Sequence, residues 1–246
     1  MDRMIYVAMS GAKQMLTQQA TVANNLANVA TTGYRAQVSA FWAAETLGDG
    51  APTRAFVVDS TPSADFTPGA IQQTGRDLDV AVEGAGWIAV QLPDGSEGYT
   101  RNGSLQVSVN GVLQTRNGLN VMGDGGSIAV PAETRITVAA DGTVSTVPTA
   151  GSPTQVAAIG RIKLVNPPEQ SMLRGDDGIF RVRGGGAADA DPNVKVHGGA
   201  LEGSNVNAVE AMVSMIALAR QFDMQMKMLQ NADGNDRKAT ELLSMR

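Results

Sequence analysis

The sequence predicts an α+β protein: long N- and C-terminal helices pairing as a coiled coil, with a central, mainly antiparallel β domain between them. Residues 4–30 and 205–231 carry apolar stripes at heptad spacing. All ten prolines fall between Pro52 and Pro192, and 25 of the 28 glycines lie between Gly48 and Gly203. In that middle stretch the apolar period drops to two, and turn dipeptides recur. A chain with helices at both ends and a β-like body between them points to a subunit that docks through its ends.

The N-terminal stripe runs Ile5, Met9, Ala12, Leu16, Gln19, Ala23, Leu26, Ala30, stepping by four and three in alternation. A second stripe of amides and hydroxyls, Gln14, Gln18, Thr21, Asn25, Asn28, lies two residues out of phase, on the far side of the helix. No charged side chain occurs from Gln14 to Tyr34. A solvent-facing helix normally carries charge on its outer face, so both faces are expected to pack against other helices of an assembly. Thr31-Thr32-Gly33 supplies the stop.

The C-terminal stripe is Ala208, Met212, Met215, Ala219, Phe222, Met226, Leu229, widened at first by Val209, Val213 and Ile216. Ser204 or Asn205 is the expected N-cap. Charges come late, at Arg220, Asp223 and Lys227, and Gly234 is a candidate kink. Ten of the twelve methionines lie in the two arms, where a flexible thioether suits contact with several slightly different neighbours.

Three domains are expected: 1–35 with 204–246 as the helical part, 36–75 as an extended connector or β-hairpin holding Phe41, Trp42, Phe56 and Phe66, and 76–203 as the β-rich part. In the last, Leu78-Val80-Val82, Ile88-Val90-Leu92, Leu105-Val107-Val109, Ile136-Val138 and Ile162-Leu164 alternate as strands do. Asp94-Gly95, Asn102-Gly103, Asn110-Gly111, Asn117-Gly118, Asp124-Gly125 and Asp141-Gly142 mark the turns.

Composition excludes much chemistry. A net charge of −5 argues against nucleic-acid or anionic-membrane binding by charge. With no cysteine and His197 alone, thiolate sites, HExxH zinc sites and Cys-His dyads are ruled out. Asp189, Asp191 and Asn193 open like a calcium loop, but Pro192, Val194 and Ala200 break it. No enzyme activity, cofactor or metal is expected. The apolar run Ala211–Ala219 is too short to span a bilayer, so no direct membrane insertion is expected. The N-terminus lacks the pattern of a cleaved signal.

Asn24-Asn25-Leu26-Ala27-Asn28-Val29 followed by Thr31-Thr32-Gly33-Tyr34 resembles the N-terminal signature of flagellar rod, hook and hook-associated proteins. Ser204-Asn205-Val206-Asn207 with Val209-Glu210-Ala211-Met212-Val213 resembles their C-terminal signature. Gly75–Gly84, Gly86-Trp87 and Tyr99–Gly103 resemble their shared β core. Met1–Tyr6 and Ala8–Ala12 resemble the proximal-rod type, with the distal-rod paralogue as the alternative. A secreted β-rich adhesin oligomerised by its arms is a more distant one.

The resemblance implies a structural subunit of the flagellar basal body that transmits torque. It implies export through the flagellar type III apparatus without a cleaved signal, folding at the growing rod in the periplasm, and arms that form the axial core. Partners would be the chain itself and other proximal- and distal-rod proteins. The expected assembly interface is Ile5, Met9, Ala12, Leu16, Asn24, Asn25, Leu26, Asn28, Val209, Met212, Met215, Ala219, Phe222, Met226 and Leu229. Asn24, Asn25 and Asn28 are its expected inter-subunit amide contacts.

Overall fold

The structure, a computed structural model, describes residues 2–45, 55–59, 63–148 and 156–244; side chains are described for 8–41, 63–148, 156–235, 237–238 and 240–241. The side chains of Ile5, Trp42 and Phe56 lie outside the described residues. The chain divides into two compact units. One comprises 1–27, 37–65 and 206–246, and the other comprises 28–36 and 66–205.

The first unit holds helix α1 (Asp2–Ala27), four short strands and helix α2 (Ala208–Ser244). The strands are β1 (Gln37–Val38), β2 (Phe41–Glu45), β3 (Ala55–Asp59) and β4 (Ser63–Ala64). Strand β1 pairs with β4 and β2 with β3, both antiparallel. At 1.5 Å per residue the 26-residue α1 is about 39 Å long and the 37-residue α2 about 55 Å. Asn207 caps α2: its Oδ1 accepts the N–H groups of Val209 (3.0 Å) and Glu210 (3.3 Å). Helix α2 runs through Gly234 without a break, and a Cβ there would meet nothing within 4 Å.

The helices lie against one another, but the coiled coil expected from the sequence is not formed. Met9, Leu16, Met212 and Met226 of the predicted stripes are exposed. Among the described residues, the buried positions are Ala8, Ala12 and Gln14 on α1, with Ala211 and Leu218 on α2. Gly11 sits against the side chain of Gln225, which a Cβ would approach to 3.6 Å. Small residues allow this approach, whereas the heptad reading gives most weight to large apolar side chains. The α+β class itself holds, with one helix at each end and antiparallel strands between them.

Among the described residues the second unit is built of β-strands, with one short 3-10 helix at Glu169–Ser171. Its first eight strands are β5 (Ile71–Gln73), β6 (Val80–Glu83), β7 (Trp87–Gln91), β8 (Glu97–Thr100), β9 (Leu105–Val107), β10 (Leu113–Thr115), β11 (Asn120–Gly123) and β12 (Gly126–Ser127). The rest are β13 (Thr134–Val138), β14 (Thr143–Pro148), β15 (Ala157–Arg161), β16 (Leu164–Val165), β17 (Met172–Arg174), β18 (Phe180–Val182), β19 (Lys195–Gly198) and β20 (Ala200–Glu202).

The main sheet has the order β17-β18-β8-β7-β11-β10-β9, with β12 added at β11 and β16 at β7. A second sheet is β13-β14-β15, and β19-β6 and β20-β5 form separate pairs. The core includes Val80, Val82, Ile88, Val90, Leu105, Leu113, Val121 and Val144, all within 1% of full burial. Each such side chain contributes about 1.5–3 kcal/mol by leaving water. Strand β7 is buried on both faces: Ile88 and Val90 enter this core, while Trp87 points the other way.

Candidate functional site

Trp87 covers a buried charged cluster drawn from three separate segments. Glu202, at the end of β20, lies between Arg35 and Arg101: its Oε1 is 2.7 Å from Arg35 Nη2 and its Oε2 is 3.0 Å from Arg101 Nη1. The Arg35 and Glu202 side chains have no exposed surface at all. Glu202 Oε1 also accepts the Gly69 N–H at 2.8 Å. Arg35 Nη1 donates to the Thr67 carbonyl at 2.8 Å, and Arg101 donates to the carbonyls of Val82 and Gly84.

Two cations share one carboxylate here. The excess positive charge is met by those three carbonyls and by the face of Trp87, whose centroid lies 5.4 Å from the Arg101 guanidinium carbon and 5.9 Å from that of Arg35. Phe66 and Phe180 pack on Trp87, with ring centroids at 6.0 and 4.5 Å. Burial, reinforced by the Arg35 charge and opposed by Glu202, pushes the Arg101 guanidinium down to about 10. It therefore stays charged at neutral pH.

The two sequence signatures meet around this cluster. The Gly33 N–H donates to the Glu202 carbonyl (2.8 Å) and the Asn205 N–H to the Tyr34 carbonyl (3.3 Å). Asn205 Oδ1 accepts the Ala36 N–H at 2.7 Å, and its Nδ2 donates to the Thr67 carbonyl at 3.1 Å. Arg174 stacks on Tyr34 at 4.4 Å and donates to the Arg35 carbonyl at 3.0 Å. Gly33 has φ +68°, and a Cβ on it would lie 2.4 Å from the Arg101 carbonyl carbon. Only glycine fits both demands.

The residues expected at the assembly interface fall into two groups. Met9, Leu16, Asn24, Val209, Met212, Ala219 and Met226 are exposed. Ala12 is buried, and Leu26, Met215, Phe222 and Leu229 are half-buried. Asn25 and Asn28 bond within the chain. Asn25 Oδ1 accepts the Gln37 N–H (2.8 Å) while its Nδ2 donates to the Gln37 carbonyl (2.9 Å), and Asn28 Oδ1 accepts from the Thr31 hydroxyl at 3.1 Å.

Arg35, Arg101, Trp87 and Glu202 were not singled out as a site in the sequence. The available signal was isolation of charge: Arg35 ends a run without charges, and Glu202 stands alone between Lys195 and Glu210. Among the described residues no group of three His, Asp or Glu side chains could hold a metal, and no helix is long and apolar enough to cross a membrane.

Three family models match the chain. Residues 5–35 match the flagella basal body rod protein family, 81–146 the flagellar hook protein FlgE/F/G D1 domain, and 197–242 the flagellar basal body rod FlgEFG protein C-terminal family. The chain is 51% identical over 251 residues to the flagellar basal-body rod protein FlgF of Escherichia coli strain K12, covering 100% of both chains. It is 49% identical to that of Salmonella typhimurium strain LT2, again over 100% of both. A flagellar basal-body rod protein FlgG, from Buchnera aphidicola of Acyrthosiphon pisum, is 29% identical and is aligned over 97% of this chain and 98% of its own.

Proposed function

As the chain belongs to the FlgF family of flagellar basal-body rod proteins, we propose that it is a structural subunit of the bacterial flagellar proximal rod that assembles through its terminal helices to transmit torque. The full-length identity of 51% carries this reading. Two observations support it. The helices keep Met9, Leu16, Val209, Met212, Val213 and Ile216 exposed, as arms made for neighbours require. The chain segments bordering both arms are tied by Arg35 and Glu202.

In this reading residues 1–35 and 204–246 supply axial contacts with the chain itself and other rod components. Residues 36–75 connect, and 76–203 supply outer contacts. The exposed members of the interface named from sequence are the first to meet neighbours. The subunit leaves the cytoplasm through the flagellar type III export apparatus without a cleaved signal and folds at the rod in the periplasm. Placement in the distal rod is the weaker reading, since a FlgG relative shares 29% against 51% for FlgF.

Electron cryotomography of basal bodies in a strain lacking the chain tests the reading. A rod that stops short of its distal segment, with no hook, is expected. A normal proximal rod lacking only its distal part would move the subunit there, and intact rotating flagella would end the structural reading.

A further inference from the structure

We propose that the outward face of the main sheet in the second unit binds an extended, neutral glycan through a row of four side-chain amides that crosses its strands. Such binding is independent of the rod reading above.

The strand register sets the row. Gln106 of β9 pairs with Gln114 of β10, Gln114 with Asn120 of β11, Asn120 with Gln91 of β7, and Gln91 with Glu97 of β8. Directly paired residues point to the same side of a sheet, so these five side chains stand in one line. Leu105, Leu113, Val121 and Val90, each one position away, fill the core on the opposite side. The four amide residues are half-buried. Among the described residues none of the four is hydrogen-bonded through its side chain.

The line is also neutral. Glu97, at its end, meets Lys163 Nζ at 2.8 Å, which cancels the one charge in it. A water-facing sheet surface ordinarily carries charge, as β13 does with Arg135, bonded to Asp77 at 2.7 Å.

Neutral amides without partners suit an uncharged ligand that both donates and accepts. Each amide offers a carbonyl acceptor and an NH2 donor, and two adjacent hydroxyls of a sugar ring, or its acetamido group, engage both. Neighbouring strands lie about 4.8 Å apart, close to the advance of one sugar along an extended β-linked chain. Four strands therefore present one amide to each of four successive sugars. Met122, two positions from Asn120 on the same face and half-buried, offers an apolar surface to the sugar C–H groups. A charged polymer finds no counter-charge along this line, and an amphipathic helix finds no apolar groove.

Titration of the purified full-length chain with chitotetraose or cellotetraose, followed through side-chain NH2 signals by NMR, tests this. Saturable shifts at Gln91, Gln106, Gln114 and Asn120 are expected with either sugar, the tetramer binding about tenfold more tightly than the dimer. Gln114→Met and Asn120→Leu should each weaken binding about tenfold while the backbone amide signals of Val90 and Val121 stay in place. Thr137→Ala, on the second sheet, should leave binding unchanged. No saturable shift, undiminished binding by both row variants, or equal shifts with a uronic-acid polymer overturns the proposal. Shifts of the same signals that follow protein concentration without any sugar assign the face to a second copy and overturn it too.

Discussion

Arg35 and Glu202 approach to 2.7 Å with neither side chain touching solvent, although they come from opposite ends of the chain. With Arg101 also against Glu202, one carboxylate pairs with two buried guanidinium groups, the only anion to do so among the described residues. Removing one member of a buried ion pair typically costs about 3–5 kcal/mol, because the remaining charge is stranded. Glu202→Gln should lower the unfolding free energy by about that much. Urea denaturation followed by tryptophan fluorescence measures it, and a loss under about 1 kcal/mol would show that carbonyls and Trp87 suffice.

Gly33 and Gly234 should respond oppositely to alanine. Gly33→Ala puts a methyl group onto the Arg101 backbone at φ +68°, so a loss above about 1 kcal/mol is expected. At Gly234 the helix is continuous and the space is open, so alanine should gain about 0.5–1 kcal/mol. Hydrogen exchange along the second half of α2 reads the gain directly.

Asn207→Ala removes the acceptor for the Val209 and Glu210 amides. The expected cost is about 1 kcal/mol, confined to the first turn of α2. Faster exchange of these two amides, with Leu218 unchanged, is the signature.

Asn25→Ala deletes both hydrogen bonds to the Gln37 backbone, each worth about 0.5–1.5 kcal/mol. Strand β1 should then fray from β4. Amide exchange at Gln37 and Val38 checks this, and unchanged protection there would mean that the β1–β4 pairing holds by itself.

Asp177 has its carboxyl held below the ordinary 3.8, chiefly by hydrogen bonds from the Arg181 side chain. A depressed folded-state value means the contribution is present above the unfolded value of 3.8 and is lost as pH falls through the lower folded one. Arg181→Gln should move the Asp177 titration upward, as followed by carbon-detected NMR.

Turns were the most legible part of the sequence. Of the six Asn-Gly and Asp-Gly pairs read as turns, four place their glycine (Gly95, Gly111, Gly118, Gly142) at positive φ, whereas Gly103 and Gly125 do not and Asn102-Gly103 is no turn. That preference is local, so a dipeptide suffices to show it. The terminal helices were legible from periodicity, but their facing was not. Ala8, Gly11 and Ala12 make the inward face while Met9 and Leu16 look out, and a stripe of large residues does not say what covers it. The Arg35–Glu202–Arg101 cluster was hidden because its members are brought together only by the folded β unit.

The chain passes between its two units at 27/28, 36/37, 65/66 and 205/206. The last three junctions border residues tied to the cluster: Ala36 bonds Asn205, Phe66 packs on Trp87, and Thr67 accepts from Arg35. Within the second unit, three of its four chain ends are therefore held by contacts to the same cluster or its neighbours. A disturbance of the Arg35–Glu202 pair is thus felt together at three of the second unit's four ends.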